Sequence, residues 1–162
     1  MKENFMINIL FVCHGNICRS PMAQFVMQYL VDKEGLSGYF YIDSAATSRE
    51  EIGNDVHYGT KQKLKEMGIP YEFHASRQLR MDDLNRYDFI IGMDQANIFN
   101  MQRILKSNDK CYTLLSFARS DRDIADPWYT GNFDVTYRDV NEGCTALLRY
   151  LKDNGYVKEV RC

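Results

Sequence analysis

The chain has 162 residues, of which 45% are hydrophobic and 26% are charged, and its formal net charge is -2. This length fits one domain over residues 1–162, which can bury about two-thirds of the surface that the unfolded chain would expose. The composition excludes the disordered and fibrous classes. Mild acidity argues against a nucleic-acid-binding protein, which would normally be basic, but it is compatible with a local positive pocket.

The N-terminus and the cysteines indicate where the protein acts. The first residues lack the basic region and the small-residue cleavage site of a signal peptide, and no apolar run is long enough to cross a membrane. The five cysteines are an odd number without the spacing of a disulfide framework, which favours a reducing compartment. We therefore expect a cytoplasmic protein that binds neither nucleic acid nor membrane.

The first predicted strand is an apolar run rich in branched side chains, residues 7–12, which is typical of a strand buried on both faces and which ends at Cys13. Five residues separate Cys13 from Arg19, and Ser20 and Pro21 then begin a predicted helix. Pro21 suits a first helical turn, and Ser20 is a candidate cap. A loop between a strand and a helix directs backbone N–H groups and the positive end of the helix dipole to one point, where a phosphate can bind.

The same loop combines that anion site with a thiol. Gly15 and Asn16 tolerate the unusual backbone angles that a loop around an oxyanion needs, and Arg19 can bind two phosphate oxygens at once. In this positive field Cys13 should be held as a thiolate, which is a nucleophile. Taken alone, Cys13 would more simply be explained as a buried core residue. A zinc site formed with Cys18 is disfavoured, because no second Cys/His pair with ligand spacing follows. The combination predicts phosphoryl transfer to sulfur.

The rest of the chain alternates predicted strands and helices. Further strands are predicted over residues 39–46, 87–93 and 111–115. Helices are predicted over residues 56–67 after a cap at Asn54 or Asp55, over 95–105 after a cap at Asp94, and from Asp134 or Thr136 through Leu151. Residues 116–133 are predicted to be a polar loop, Cys111 and Cys144 to be core residues, and Cys162 to be a thiol of the C-terminal tail.

This alternation predicts the α/β class, with a single three-layer domain that has a four-stranded parallel sheet and helices on both faces. Ligands of such sheets bind beyond the carboxyl ends of the strands. Cys13, a loop at Ser44, Asp94 and the loop after Leu115 are all predicted to lie at that edge.

Asp126 is the candidate general acid. A phenolic oxygen needs a proton when it leaves phosphorus, and Pro127 would restrict the backbone of Asp126 and so fix the direction of its side chain. A surface turn is the commoner meaning of Asp-Pro. The position in a long loop, beside Trp128 and Tyr129 that could flank an aromatic ring, favours the catalytic interpretation.

The segment VCHGNICRSP, residues 12–21, resembles the signature of the low-molecular-weight protein tyrosine phosphatases. The resemblance covers nearly the whole chain, because Asp126-Pro127 lies where that family keeps its acid. It implies a phosphotyrosine protein phosphatase I-like fold and hydrolysis of phosphotyrosine and small aryl phosphates through a phosphocysteine at Cys13, with Arg19 and the loop amides binding phosphate and with no cofactor or metal. The implied substrate-binding residues are His14, Gly15, Asn16, Ile17, Cys18, Ser20, Trp128 and Tyr129.

The resemblance also implies supporting residues. Ser44 and His74 match positions that hydrogen-bond to the loop asparagine, here Asn16, and hold its strained backbone. Asp94 matches a residue near the floor of the site, although a helix cap is its simpler role. From the residues alone His74 would be a surface histidine. His57 is expected on a helix surface, without a role.

Two residues of the loop keep alternative roles. Ser20 would donate a hydrogen bond to the sulfur of Cys13, unless it only caps the helix. Cys18 matches a cysteine that can form a reversible disulfide with the nucleophile, which implies redox regulation, but it could also be a passive loop residue. His14 varies in the family and has no individual role. The better-known members carry Tyr at the position of Trp128, which leaves substrate selectivity open. The loop over residues 47–54, which includes Glu50 and Glu51, is expected to set that selectivity together with Trp128 and Tyr129.

Three functions are compatible with these motifs. The first is a metal-independent phosphatase that acts on a phosphotyrosine-containing protein as a monomer or weak dimer. The second is an arsenate reductase, which needs further cysteines that residues 71–93 lack. The third is a non-catalytic phosphotyrosine-binding module, which is disfavoured because both the nucleophile and the acid are present.

Overall fold

The structure, a computed structural model, describes residues 6–157. One sheet of four parallel strands lies at its centre, in the order β2-β1-β3-β4. The strands are β1 (Ile7–Cys13), β2 (Phe40–Ala46), β3 (Phe89–Gly92) and β4 (Cys111–Thr113). The predicted α/β class and the predicted four-stranded parallel sheet are confirmed.

Helices connect the strands within the described residues. The α-helices are α1 (Arg19–Lys33), α2 (Tyr58–Glu66), α3 (Asp83–Arg86), α4 (Gln95–Leu105), α5 (Pro127–Thr130) and α6 (Phe133–Asp153), and 3-10 turns cover Ser37–Tyr39 and Leu114–Ala118. Across residues 6–157, every helix is too short or too polar to cross a bilayer.

Strand β1 is buried on both faces because its side chains alternate between two apolar clusters. Ile9 and Phe11 pack in the larger cluster, which contains the inner faces of α1 and α6. Leu10 and Val12 pack in the smaller one, with side chains of α4. Since successive strand residues point to opposite faces, the two clusters give a three-layer arrangement of helix, sheet and helix.

The start of α2 differs from the prediction. The helix begins at Tyr58, and its cap is His57, whose Nδ1 accepts a hydrogen bond from the backbone N–H of Gly59 at 2.9 Å. Asp55 is not the cap, because its carboxylate binds the N–H of Val56 and pairs with Lys61. The cap makes His57 half-buried rather than a residue of the helix surface.

The segment after β4 also differs from the prediction. Residues 111–115 were expected to form one strand, but the strand ends at Thr113 and the next residues turn into a 3-10 helix. A short apolar run does not distinguish these two structures. The predicted polar loop over residues 116–133 contains α5, and α6 begins at Phe133 after a cap at Asn132, earlier than Asp134 or Thr136.

The cysteines outside the loop have different environments. Cys144 is fully buried in α6, as predicted, whereas Cys111 is only half-buried on β4. β4 is an edge strand, so one side of Cys111 has no neighbouring strand to cover it. Cys162 lies outside the described residues.

Candidate active site

The sulfur of Cys13 is the centre of the loop between β1 and α1. Its Sγ accepts hydrogen bonds from the backbone N–H groups of Asn16 at 3.3 Å and Ser20 at 3.4 Å, and the hydroxyl of Ser20 lies 3.1 Å away. Donors aimed at one atom stabilise negative charge on it. The side chain is 3% exposed, so these donors act with little competition from solvent.

Ser20 is the second residue of α1 and not its cap. The residue before the helix is Cys18, which makes no side-chain capping bond. The first turn of α1 therefore leaves backbone N–H groups directed into the loop, where an anion can accept from them. The hydroxyl of Ser20 lies against the sulfur, so of the two roles predicted for Ser20 the geometry fits the contact with Cys13 and not the helix cap.

Asn16 has a left-handed backbone, with φ of 59°, which is unfavourable for a residue with a side chain. Its buried amide holds this conformation through three contacts. The Nδ2 group donates to the hydroxyls of Ser20 at 2.7 Å and Ser44 at 3.0 Å, and Oδ1 lies 3.0 Å from Nε2 of His74. Ser44 lies within β2, opposite Phe11 of β1, and so inside the predicted strand over residues 39–46 rather than in a loop at its end.

His74 joins this network as a neutral side chain. Burial lowers its pKa, although the negative charge of Asp43 acts in the opposite direction. Because Oδ1 of Asn16 only accepts, the hydrogen bonding assigns the ring proton to Nε2. Ser44 in turn donates to Oε1 of Gln24 at 2.5 Å. The chain of bonds thus connects the loop to β2 and to the half-buried Gln24 of α1.

Arg19 is the only cation of the loop, and it is 2% exposed. Its Nη1 donates to Oδ2 of Asp94 at 2.7 Å and to the carbonyl of Ile124 at 2.8 Å, while Nη2 lies 3.4 Å from Oδ2 of Asp126. Burial alone would lower the pKa of Arg19, but the charge of Cys13 and the bond to Asp94 raise it overall.

One donor of Arg19 remains available for a ligand. Its buried Nε has no hydrogen-bond partner among residues 6–157. A buried N–H without a partner costs about 1–3 kcal/mol, and a phosphate oxygen in the loop could remove that cost. Asp94 fixes the guanidinium from the other side while its Oδ1 accepts from the N–H of Asn97 at 2.7 Å, so Asp94 also caps α4.

Asp126 faces the loop from the N-terminus of α5. It caps this short helix, with Oδ1 accepting from the N–H of Trp128 at 3.1 Å, and Pro127 occupies the first turn. Oδ2 is left on the side of Arg19. Asp-Pro is therefore a helix start with the carboxyl directed to the loop, and not an isolated surface turn.

A cavity opens above the sulfur. The walls include Trp128 and Tyr129, whose exposed fractions are 57% and 81%, and the rim carries Glu50 and Glu51 of the 47–54 loop, which was expected to set selectivity together with that pair. Nε2 of His14 lies 3.2 Å from Glu50 on this rim. The cavity is lined by Cys13, His14, Gly15, Ile17, Cys18, Glu50, Glu51, Asp126, Trp128 and Tyr129.

Cys18 is a second buried thiol of the cavity. Burial raises its pKa to about 12, and the nearby charge of Cys13 adds to this effect. It is therefore a neutral thiol near neutral pH. Both Cys13 and Cys18 are free thiols.

Ser76 supports the loop and was missed from the sequence. Its buried hydroxyl donates to the carbonyl of Gly15 at 2.9 Å. Ser76 follows His74 by two residues. Side chains two residues apart in an extended chain point to the same side, so this spacing could have identified Ser76 as a second residue facing the loop. Asp55, whose carboxylate accepts from the N–H of His74 at 3.1 Å, carried no sequence signal beyond that of a helix cap.

The fold and the site together define a class, that of phosphatases in which a cysteine and a phosphate-binding loop lie at the carboxyl edge of a parallel sheet. The family model for low molecular weight phosphotyrosine protein phosphatase matches residues 8–157. A low molecular weight protein-tyrosine-phosphatase of Bacillus subtilis, YfkJ, is 40% identical over 147 residues, which are 88% of this chain and 94% of the relative. The chain belongs to the low molecular weight phosphotyrosine protein phosphatase family, as its loop signature predicted.

Solved structures of similar proteins agree with this assignment. The crystal structure of YfkJ from Bacillus subtilis superposes with a TM-score of 0.90 at 38% identity, covering 95% of this chain and 99% of that one. Wzb of Vibrio vulnificus, solved in complex with benzylphosphonate, has a TM-score of 0.80 at 27% identity, covering 90% of this chain and 99% of that one.

Proposed function

We propose that the chain hydrolyses phosphotyrosine in proteins, and small aryl phosphates, through a phosphocysteine at Cys13. The observation that carries this proposal is the convergence of three donors on Sγ of Cys13, in a loop that also contains the unpartnered Nε of Arg19. A sulfur held negative beside a site for phosphate oxygens has the geometry for attack on phosphorus.

In the first step the thiolate of Cys13 forms a bond to phosphorus while the bond from phosphorus to the phenolic oxygen breaks. Asp126, protonated, gives its proton to that oxygen, so that tyrosine leaves as a neutral phenol. The loop amides and Arg19 bind the three remaining oxygens, whose charge they stabilise in the transition state. No metal ion takes part in this step.

In the second step water attacks the phosphocysteine. The carboxylate of Asp126 accepts a proton from this water, and the bond between sulfur and phosphorus breaks to release inorganic phosphate. The hydroxyl of Ser20, 3.1 Å from Sγ, donates to the departing sulfur and makes it a better leaving group. Asn16, Ser44 and His74 keep the loop in its strained conformation throughout.

Aromatic substrates fit the walls of the cavity. Trp128 and Tyr129 can contact the two sides of a phenyl ring, and Cys13 lies beneath them at the buried end. The similar protein Wzb binds benzylphosphonate, which carries such a ring. The side chain of phosphoserine has no ring to contact these walls, so we expect phosphotyrosine peptides to be preferred.

Two variants test the mechanism. Cys13→Ser should abolish hydrolysis of p-nitrophenyl phosphate while inorganic phosphate still binds, measured by calorimetry. Asp126→Ala should lower kcat/KM for phosphotyrosine by about 10²–10⁴-fold, and by less for an ester with a more acidic leaving group. Equal losses for both esters would exclude Asp126 as the acid, and loss of wild-type activity in a chelator would exclude a metal-free reaction.

Three further properties belong to this proposal. Residues 1–162 act as one catalytic domain in the cytoplasm, as a monomer or weak dimer whose size can be measured by analytical ultracentrifugation. A disulfide between Cys13 and Cys18 would switch the enzyme off reversibly after oxidation. Peroxide treatment should then cause a loss of activity that a thiol reductant restores, and Cys18→Ala should lose that recovery.

A further inference from the structure

His57 lies where three segments of the structure meet. Its backbone N–H donates to the carbonyl of Ile17 in the phosphate-binding loop at 2.7 Å. Its Nδ1 accepts from the N–H of Gly59 and so begins α2. The imidazole ring also contacts the segment that carries the general acid, since its centroid lies 5.7 Å from the ring of Trp128 in an edge-to-face arrangement.

The imidazole has little freedom to turn. Phe133, the first residue of α6, stacks on it with centroids 5.4 Å apart and planes at 20°. Phe133 is itself held against α2, because a Cβ added to Gly59 would lie 2.4 Å from the Phe133 ring. The bond from Gly59 to Nδ1 fixes the ring from a third direction. His57 thus offers Trp128 a rigid surface.

The position of Trp128 affects the carboxyl of Asp126 directly. The N–H of Trp128 donates to Oδ1 of Asp126 at 3.1 Å, which leaves Oδ2 toward Arg19. Trp128 is 57% exposed, and its ring packs edge-to-face against the ring of His57. A shift of Trp128 would move the bond that orients the carboxyl.

His57 does not act on the substrate itself. Among the described residues, the cavity is lined by Trp128 and others but not by His57, which lies behind the tryptophan. Its Nδ1 is engaged with Gly59, and its cap requires a neutral ring with the proton on Nε2, an assignment made from the hydrogen bonding. The chemistry available to His57 is therefore to orient other groups.

We propose that His57 is a positioning residue, which holds the general acid Asp126 in line with the phosphate-binding loop through the contact of its ring with Trp128. The inference rests on the proposed function. It predicts that removal of the ring impairs protonation of the leaving group and leaves binding of phosphate unchanged.

Two substitutions separate the ring from the cap. His57→Asn keeps a good helix cap but removes the ring, and His57→Phe keeps a ring but removes the cap acceptor. For His57→Asn we expect kcat/KM to fall on the order of 10-fold with phosphotyrosine and to change far less with dinitrophenyl phosphate. The inhibition constant of inorganic phosphate should stay at the wild-type value. For His57→Phe we expect a lower urea midpoint with a nearly normal ratio of kcat/KM between the two esters.

A double-mutant cycle and a control complete the test. In the background of Asp126→Ala, His57→Asn should cause no additional loss with phosphotyrosine, because the group that it positions is absent. Gly143→Ala, which crowds Leu114 at another site, should lower stability and leave the ratio between esters unchanged.

Three results would overturn the inference. They are an unchanged ratio between the two esters for His57→Asn, whether or not activity falls, a full additional loss in the Asp126→Ala background, and a selective loss in His57→Phe as large as that in His57→Asn. A wild-type protein that hydrolyses neither ester would instead contradict the proposed function.

Discussion

Asn16 provides a quantitative test of how the loop is held. Its side chain makes three buried contacts, and its φ of 59° is costly for a residue that has a β-carbon. Asn16→Ala removes the contacts and keeps the β-carbon, whereas Asn16→Gly removes both. At about 1 kcal/mol for each hydrogen bond, the loss of these contacts alone should lower the unfolding free energy of both variants by roughly 3 kcal/mol, to which the backbone adds a difference between them.

The difference between the two variants isolates the backbone. A left-handed residue with a β-carbon costs roughly 1–2 kcal/mol relative to glycine, and asparagine tolerates this conformation better than alanine. If Asn16→Ala leaves the left-handed conformation, its N–H turns away from the sulfur of Cys13, which it contacts at 3.3 Å in the wild type. Inorganic phosphate should therefore bind at least about 5-fold more weakly to Asn16→Ala than to Asn16→Gly.

Competitive inhibition by inorganic phosphate and urea unfolding measure the two effects separately. Lys106 is a useful control, because it has a φ of 57° at the exposed end of α4. Lys106→Gly should leave the inhibition constant unchanged. Equal inhibition constants for Asn16→Ala and Asn16→Gly would refute the view that a left-handed backbone at Asn16 shapes the phosphate site.

Three other predictions concern pH, packing and selectivity. Burial lowers the pKa of His74, so His74 takes up a proton in the unfolded chain at a higher pH than in the folded one. The stability that this residue contributes is complete above pH about 6.5 and should fall as the pH drops further. His74→Gln should flatten the dependence of the unfolding free energy on pH, measured by urea unfolding, and an unchanged dependence would contradict the prediction. In Gly143→Ala the new Cβ would lie 2.4 Å from Cγ of Leu114, which should lower the unfolding free energy by about 1–3 kcal/mol, and an unchanged thermal midpoint would show that Leu114 moves aside freely. Glu50 and Glu51 on the cavity rim should favour phosphotyrosine peptides with flanking lysines. This preference, measured as the ratio of kcat/KM between peptides with and without lysines, should shrink in high salt and in the double variant Glu50→Gln/Glu51→Gln. An equal ratio in the double variant and the wild type would disprove it.

The loop could be predicted from the sequence because its parts are contiguous. A buried strand, seven residues from Cys13 to Arg19 and a helix start are all visible in one segment, and the order of the elements then predicts the sheet. The tertiary contacts were less accessible. His57 meets Trp128 and Phe133 only after α2 and α6 have packed together, so no local pattern distinguishes it from a surface histidine.

Short elements were the second source of error. Helix α5 has four residues, which are too few to show the spacing of apolar residues by which a helix is predicted from sequence. Its start is determined by the capping bond of Asp126. The 3-10 turn after β4 shares its apolar residues with the strand before it, since Leu114 and Leu115 are both buried. In the segment after β4, packing rather than the local sequence pattern thus selects the backbone conformation.

In the proposed mechanism the carboxyl of Asp126 serves first as acid and then as base, and the charges in the cavity bear on both steps. In that mechanism Cys13 reacts as a thiolate, whose charge together with the carboxylate of Asp94 would outweigh the single positive charge of Arg19, and a phosphate ester adds up to two negative charges. The loop amides offset part of this excess. Oδ2 of Asp126, 3.4 Å from Arg19, would then face the phosphate oxygens, from where the protonated carboxyl of the proposed first step can reach the phenolic oxygen. Once that proton has left with the phenol, the carboxylate remains beside the phosphocysteine, where it can accept a proton from water.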